Sequence, residues 1–112
     1  MFKQPKNDSK YAWTHHVFDK MRFYNISESR IKRIIRFPKR TEEGIAPNTV
    51  AVMQSAGTKR YGEIWVMYKI QNSKIKNQKS KLKIITAWRY PGRSPARDPI
   101  PEEVINEIRS LL

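Results

Sequence analysis

Cysteine is absent from the 112 residues, which excludes disulfides and thiolate metal sites and leaves the redox compartment undetermined. Gly44, Gly57, Gly62 and Gly92 stand alone, so there is no Gly-rich phosphate loop. Apart from the adjacent Glu42 and Glu43, the acids are scattered singly or lie near the end, which offers no carboxylate pair suited to glycoside or two-metal chemistry. His15 and His16 are the two histidines. Adjacent on a helix, they point about 100° apart, with Asp19 the one nearby carboxylate, so no metal site is expected. Proline and glycine are too few for a low-complexity chain. No window is long and apolar enough to span a bilayer, and the opening MFKQPKNDSK lacks the apolar core of a signal peptide. A soluble cytoplasmic protein with no membrane partner is expected.

Base is what the chain has in excess: 23 Lys and Arg against 10 Asp and Glu. The excess is uneven, since residues 1–97 carry 22 bases and 6 acids while residues 98–112 carry one base and four acids. A polyanion suits the basic part, because each neutralised phosphate releases condensed counterions. The alternative is a set of solvated basic faces with no partner. At this length one domain is expected over residues 11–112, after a flexible segment 1–10.

The stretch Trp13 to Arg40 reads as two short helices. Tyr11 to Trp13 is a first strand or an extended lead-in. Thr14 suits an N-cap, with Trp13 and Phe18 as a hydrophobic staple. Val17, Phe18, Met21 and Tyr24 then form an apolar stripe, and Asn25 suits the left-handed residue that ends a helix. The pattern repeats: Ser27 caps, Ile26 and Ile31 staple, Ile31, Ile34 and Ile35 make the stripe, and Pro38 stops the helix. Arg30, Lys32, Arg33 and Arg36 project from its other sides, followed by Lys39 and Arg40.

Beyond Pro38 the period becomes that of strands. Thr49 to Gln54, Tyr61 to Ile70 and Leu82 to Tyr90 are rich in β-branched and aromatic residues. In the second, Ile64, Val66, Tyr68 and Ile70 share a face opposite Trp65, Met67 and Lys69. In the third, simple alternation puts Ile84, Thr86, Trp88 and Tyr90 opposite Lys83, Ile85, Ala87 and Arg89. Short linkers predict an antiparallel meander. The linker Gln71–Lys81, with four lysines, is a solvated loop or one that reaches phosphates. Pro91 to Pro99 is irregular. Pro101, Glu102 and Glu103 open a last helix, about 101–112, whose stripe of Val104, Ile105, Ile108, Leu111 and Leu112 packs on this sheet or on another chain.

If the protein is an enzyme, its catalysts are His, Lys, Arg and Tyr. That set suits metal-independent RNA cleavage by the 2′-hydroxyl, which needs a base, cations for the pentavalent phosphate and an acid for the leaving oxygen. His16, as base or acid, and Lys20 are one helical turn apart and share a face. Arg89 on the third strand would clamp phosphate, and Tyr90 would be an acid or a stacking ring. Trp88 is either a base platform or core. Lys32, Arg33, Arg36, Lys39, Arg40, Lys69 and Arg93 are the candidate nucleic-acid contacts. His16 has a structural alternative, and Arg89 on an apolar strand needs some partner.

The motifs T-x-H-V-x-x-K-M, N-I-S-E and I-x-x-I-I-x-x-P resemble the histidine-led small domains grouped with the RelE/ParE and BrnT-like toxins. Thr14, His16, Lys20, Met21, Ile26, Ser27, Ile31, Ile35 and Pro38 fall in register with their opening helices. Lys20 stands where the group has Arg, and Asn25 where it has Gly; residues 91–112 extend past the group's usual end. The resemblance implies an α+β RelE-like fold, two N-terminal helices on a small curved antiparallel sheet. It also implies a metal-independent ribonuclease with no cofactor, often ribosome-dependent and neutralised by a cognate antitoxin, here an acidic one. The expectation from a different class is a non-catalytic RNA- or ribosome-binding module on the same basic surface. A third is a partner-binding protein whose acidic last helix docks elsewhere.

Overall fold

A computed structural model describes residues 3–71, 81–96 and 99–111. The fold is α+β, with strand β1 (Tyr11–Trp13), helices α1 (His15–Tyr24) and α2 (Glu28–Arg36), strands β2 (Arg40–Glu43), β3 (Thr49–Ser55), β4 (Gly62–Gln71) and β5 (Lys81–Pro91), and helix α3 (Glu102–Ile108) with a final 3₁₀ turn, Arg109–Leu111. The lysine-rich linker falls on residues 72–80, outside the described residues.

The helix punctuation is where the local chemistry puts it. Thr14 Oγ1 accepts from Val17 N at 3.0 Å. Asn25 ends α1 in the left-handed conformation, φ 56°, and the next amide, Ile26 N, reaches back to Met21 O at 2.8 Å. Ser27 Oγ accepts from Arg30 N at 3.1 Å, and the expected staple residues Ile26 and Ile31 are both buried in one cluster. The N-terminal lead-in is tied down at its inner end: Asp8 Oδ1 accepts from Lys10 N and Tyr11 N, and Asn7 Oδ1 from Trp13 N.

The sheet order is β1-β5-β4-β3-β2. Three of the four pairings are antiparallel, as the meander predicts, but β1 pairs with β5 in parallel, so the sheet is mixed. The reason is connectivity: β1 precedes both helices and returns to the edge of the last strand rather than joining it through a hairpin. β2, of sequence RTEE, has no apolar alternation and forms by pairing along β3 at the opposite edge. Gly44 closes that hairpin, where a Cβ would collide with the Thr49 side chain.

The third strand departs from simple alternation. Met67 pairs with Thr86 and Tyr68 with Ile84, so a bulge leaves Ile85 as an extra residue. Ile84 therefore lies with Ala87 on the face covered by α1 and α2, while Ile85 and Trp88 lie on the other. Expected faces before and after the bulge are exchanged. On the α1/α2 side, Val17, Met21, Ile31 and Ile34 pack on Val52, Ile64 and Val66. On the other side, Ile100, Val104 and Ile108 pack on Met53, Trp65, Met67 and Trp88. The two indoles stack there, centroids 5.7 Å apart and 3° from parallel. The apolar stripe of α3 thus covers its own sheet, which removes the basis for expecting it to dock elsewhere.

Candidate nucleic-acid interface

Arg89 is the residue whose placement decides most. It projects from β5 beneath the end of α1, and its Nε donates to Tyr24 O at 2.9 Å, a helix-terminal carbonyl. The partner this charge needed is that carbonyl. The guanidinium also lines a cleft of about 370 Å³ with Asn25, Ile26, Ser27, Arg30, Arg33, Ala56, Thr58 and Ile64. Three guanidinium groups therefore meet with no carboxylate in the lining. Arg30 is held by Nη2 on Ser55 O at 2.5 Å, and its buried Nε has no partner among the described residues. Burial, then the neighbouring charges of Arg33 and Arg89, push its pKa down, so the cations repel one another here. Arg33 is exposed at the rim.

His16 and Lys20 come together elsewhere, at the start of α1. His16 Nε2 lies 3.0 Å from Thr86 Oγ1 and 3.7 Å from Glu107 Oε2 of α3, and Lys20 Nζ lies 2.7 Å from that same oxygen. Burial lowers the His16 pKa below its ordinary 6.5 and outweighs the Glu107 charge, which acts the other way. The imidazole is therefore neutral at pH 7. His16 is the second residue of α1 and Arg89 binds the last, so about 12 Å of helix separates them. The expected convergence of imidazole and guanidinium does not occur. Thr14, whose hydroxyl lies 3.1 and 2.9 Å from Ile84 O and Ile85 O, anchors this end of α1 at the bulge.

A second groove, about 520 Å³, adjoins the arginine cleft and shares Ala56, Thr58 and Arg89 with it. Arg60, Tyr61, Glu63 and Tyr90 line the rest, so Tyr90 sits with Tyr61 rather than with His16. The strap of residues 92–96, which enters the groove lining at Gly92, is tied to the sheet through Ser94. Glu63, 2% exposed, accepts from Trp65 Nε1, Tyr61 OH, Ser94 N and Ser94 Oγ. Burial alone would raise its pKa, but those bonds, led by Ser94, hold it below the ordinary value. Arg93 lies 4.2 Å over the Tyr61 ring, and Lys39 lies 5.4 Å from it.

The remaining candidates divide clearly. Arg36 is exposed one turn beyond Arg33 on α2, whereas Lys39, also exposed, follows the helix and lines a separate groove with Arg40, Met53, Tyr61 and Arg93. Arg40 is structural, bound to Glu42, Ser94 and Pro95 and laid over Trp65. Lys32 pairs with Glu28 at 2.9 Å and lies over Tyr11, away from the cleft. Lys69 is at the far end of β4 from Ile64. Trp88, 1% exposed under α3, offers no face to a base. Arg30, Thr86, Glu63 and Glu107 are the members that sequence reasoning left out. Arg30 alone carried a signal, its spacing of one helical turn from Arg33. Comparison with family models, with characterised proteins and with solved structures finds no match.

Proposed function

We propose that this protein is an RNA-binding module that grips phosphate with Arg30, Arg33 and Arg89 and lays the adjoining nucleotide along the Tyr61–Tyr90 groove. One observation carries this: three guanidinium groups line one cleft in which no carboxylate is present. Guanidinium forks match phosphate oxygens, and in a recess they are screened less than on open surface. A flexible single strand can put a phosphate into such a recess and an unstacked base against an aromatic ring, which a rigid duplex does less readily. Arg36 extends the positive surface along the outside of α2.

Binding to single-stranded RNA, measured across a salt series, tests the proposal. Each phosphate contact removed should lower the slope of log affinity against log salt by about 0.7. Arg33→Gln and Arg36→Gln should therefore flatten the slope, while His16→Ala should leave it. A salt-independent affinity, or one unmoved by either arginine change, would refute it.

A second proposal, RNA cleavage of the RelE/ParE type, is favoured by a different observation. His16 and Lys20 both focus on one carboxylate oxygen, Glu107 Oε2, and so mark a place suited to an anion. Neutral His16 would take the 2′-hydroxyl proton and Lys20 would stabilise the phosphorane once Glu107 swings aside. Arg89 and Tyr90 lie beyond the other end of α1, so the leaving oxygen must draw its proton from another group or from water. A ribosomal site of action, an acidic antitoxin and a cytoplasmic location belong to this second proposal. Incubating RNA with the protein, with and without ribosomes and alongside His16→Ala, decides it; intact RNA throughout would remove its support. No helix among the described residues is long and apolar enough to cross a membrane.

A further inference from the structure

The geometry points to a phosphomonoester dianion as the ligand of the Arg30–Arg33–Arg89 cleft: the phosphate at the end of an RNA strand, in preference to the diester phosphates within it. This deepens the RNA-binding proposal and rests on it. The cleft concentrates more positive charge than a diester can answer. An internal phosphate brings one negative charge, whereas a terminal monoester brings about two near neutral pH and three equivalent oxygens.

Two of the three cations are also held in place rather than left to swing away, with Arg33 exposed at the rim. Arg89 is fixed through Nε on Tyr24 O, and Arg30 through Nη2 on Ser55 O. Both anchors are neutral backbone carbonyls, so they orient the guanidinium groups without cancelling their charge. Arg30 Nε adds a buried donor that lacks an acceptor among the described residues, and an oxyanion in the cleft would satisfy it. The rest of the lining suits an anion as well. Ser27 contributes a hydroxyl and Asn25 an amide, while the Thr58 hydroxyl is donated to Arg60 O and Ile26, Ala56 and Ile64 make the apolar remainder. Ser27 is the N-cap of α2, which places the positive end of that nine-residue helix at the rim.

Competition binding with the full chain tests this. The competitors are one short oligouridylate carrying a 5′-phosphate, a 3′-phosphate or hydroxyls at both ends, together with uridine monophosphate and inorganic phosphate. A phosphorylated end should bind roughly tenfold more tightly than the hydroxyl form, the scale of one added charge-assisted contact. Arg33→Gln should abolish that ratio. Arg36→Gln removes the same charge from the same helix outside the cleft, so it should weaken all three oligonucleotides alike and keep the ratio. Equal, salt-dependent binding of the three forms would overturn the terminal-phosphate assignment and leave RNA binding standing. Binding of none would overturn both. Uridine monophosphate or inorganic phosphate competing as well as the phosphorylated oligonucleotide would overturn the assignment to an RNA end.

Discussion

Replacing Glu63 by alanine should cost about 3–5 kcal/mol of folding stability. Its carboxylate is 2% exposed and takes four hydrogen bonds, from Trp65 Nε1 at 3.0 Å, Tyr61 OH at 3.1 Å, Ser94 Oγ at 2.5 Å and Ser94 N at 3.2 Å. The two hydroxyls can turn to new acceptors. The indole N–H and the Ser94 amide cannot, and each stranded buried donor costs about 1–3 kcal/mol. Loss of the tether between the strap and the sheet adds to this. Glu63→Gln should cost less, about 1 kcal/mol, because an oxygen at the Oε1 position keeps three donors while the new NH₂ meets the Tyr61 hydroxyl, which can turn to accept. Against a typical total of about 5–15 kcal/mol, that is a large share of the stability of the fold.

Urea unfolding followed by tryptophan fluorescence measures the loss directly, since Trp65 is one of the partners. A cost below about 1 kcal/mol for Glu63→Ala, at unchanged m-value, would refute the assignment of the strap to this carboxylate. The pH dependence gives an independent check. Because the folded pKa is depressed below the ordinary 4.5, the stabilisation is full above that pH and is lost as pH falls toward the folded value. Glu63→Gln should flatten that acid limb. In function, the variants should loosen Tyr61, which lines the groove and bonds to this carboxylate, and with it Arg93, which lies over the Tyr61 ring.

Thr14→Val should cost about 1–2 kcal/mol by removing the α1 cap and its tie to β5, and should release His16 from Thr86, visible as a shifted imidazole resonance. Glu107→Gln should lower the His16 pKa further, since the Glu107 charge raises it; an unchanged titration by NMR would separate Glu107 from His16. His16 itself, with a folded pKa below 6.5, should weaken the fold as pH drops from about 6.5 toward that value, and His16→Gln should remove this limb of the stability profile.

The caps at Thr14, Asn25 and Ser27, the staple of Ile26 and Ile31, the alternation along β4 and the basic excess were all legible in the linear chain. Each depends on residues a few positions apart, so local backbone sterics and side-chain period suffice to decide them. What the tertiary structure decided is where distant segments meet. The β5 bulge exchanged two faces that simple alternation had assigned. The parallel return of β1, and β2 with its polar sequence, came from pairing with partners far along the chain. Arg89 needed a partner that no local pattern names, and Tyr24 O supplied it from 65 positions away. The same holds for Glu107 over Lys20, for the four donors on Glu63 and for the three arginines of the cleft. A side chain's chemistry is written in its own letter, but the company it keeps depends on strand register and helix placement, which are settled by the packing of the whole core.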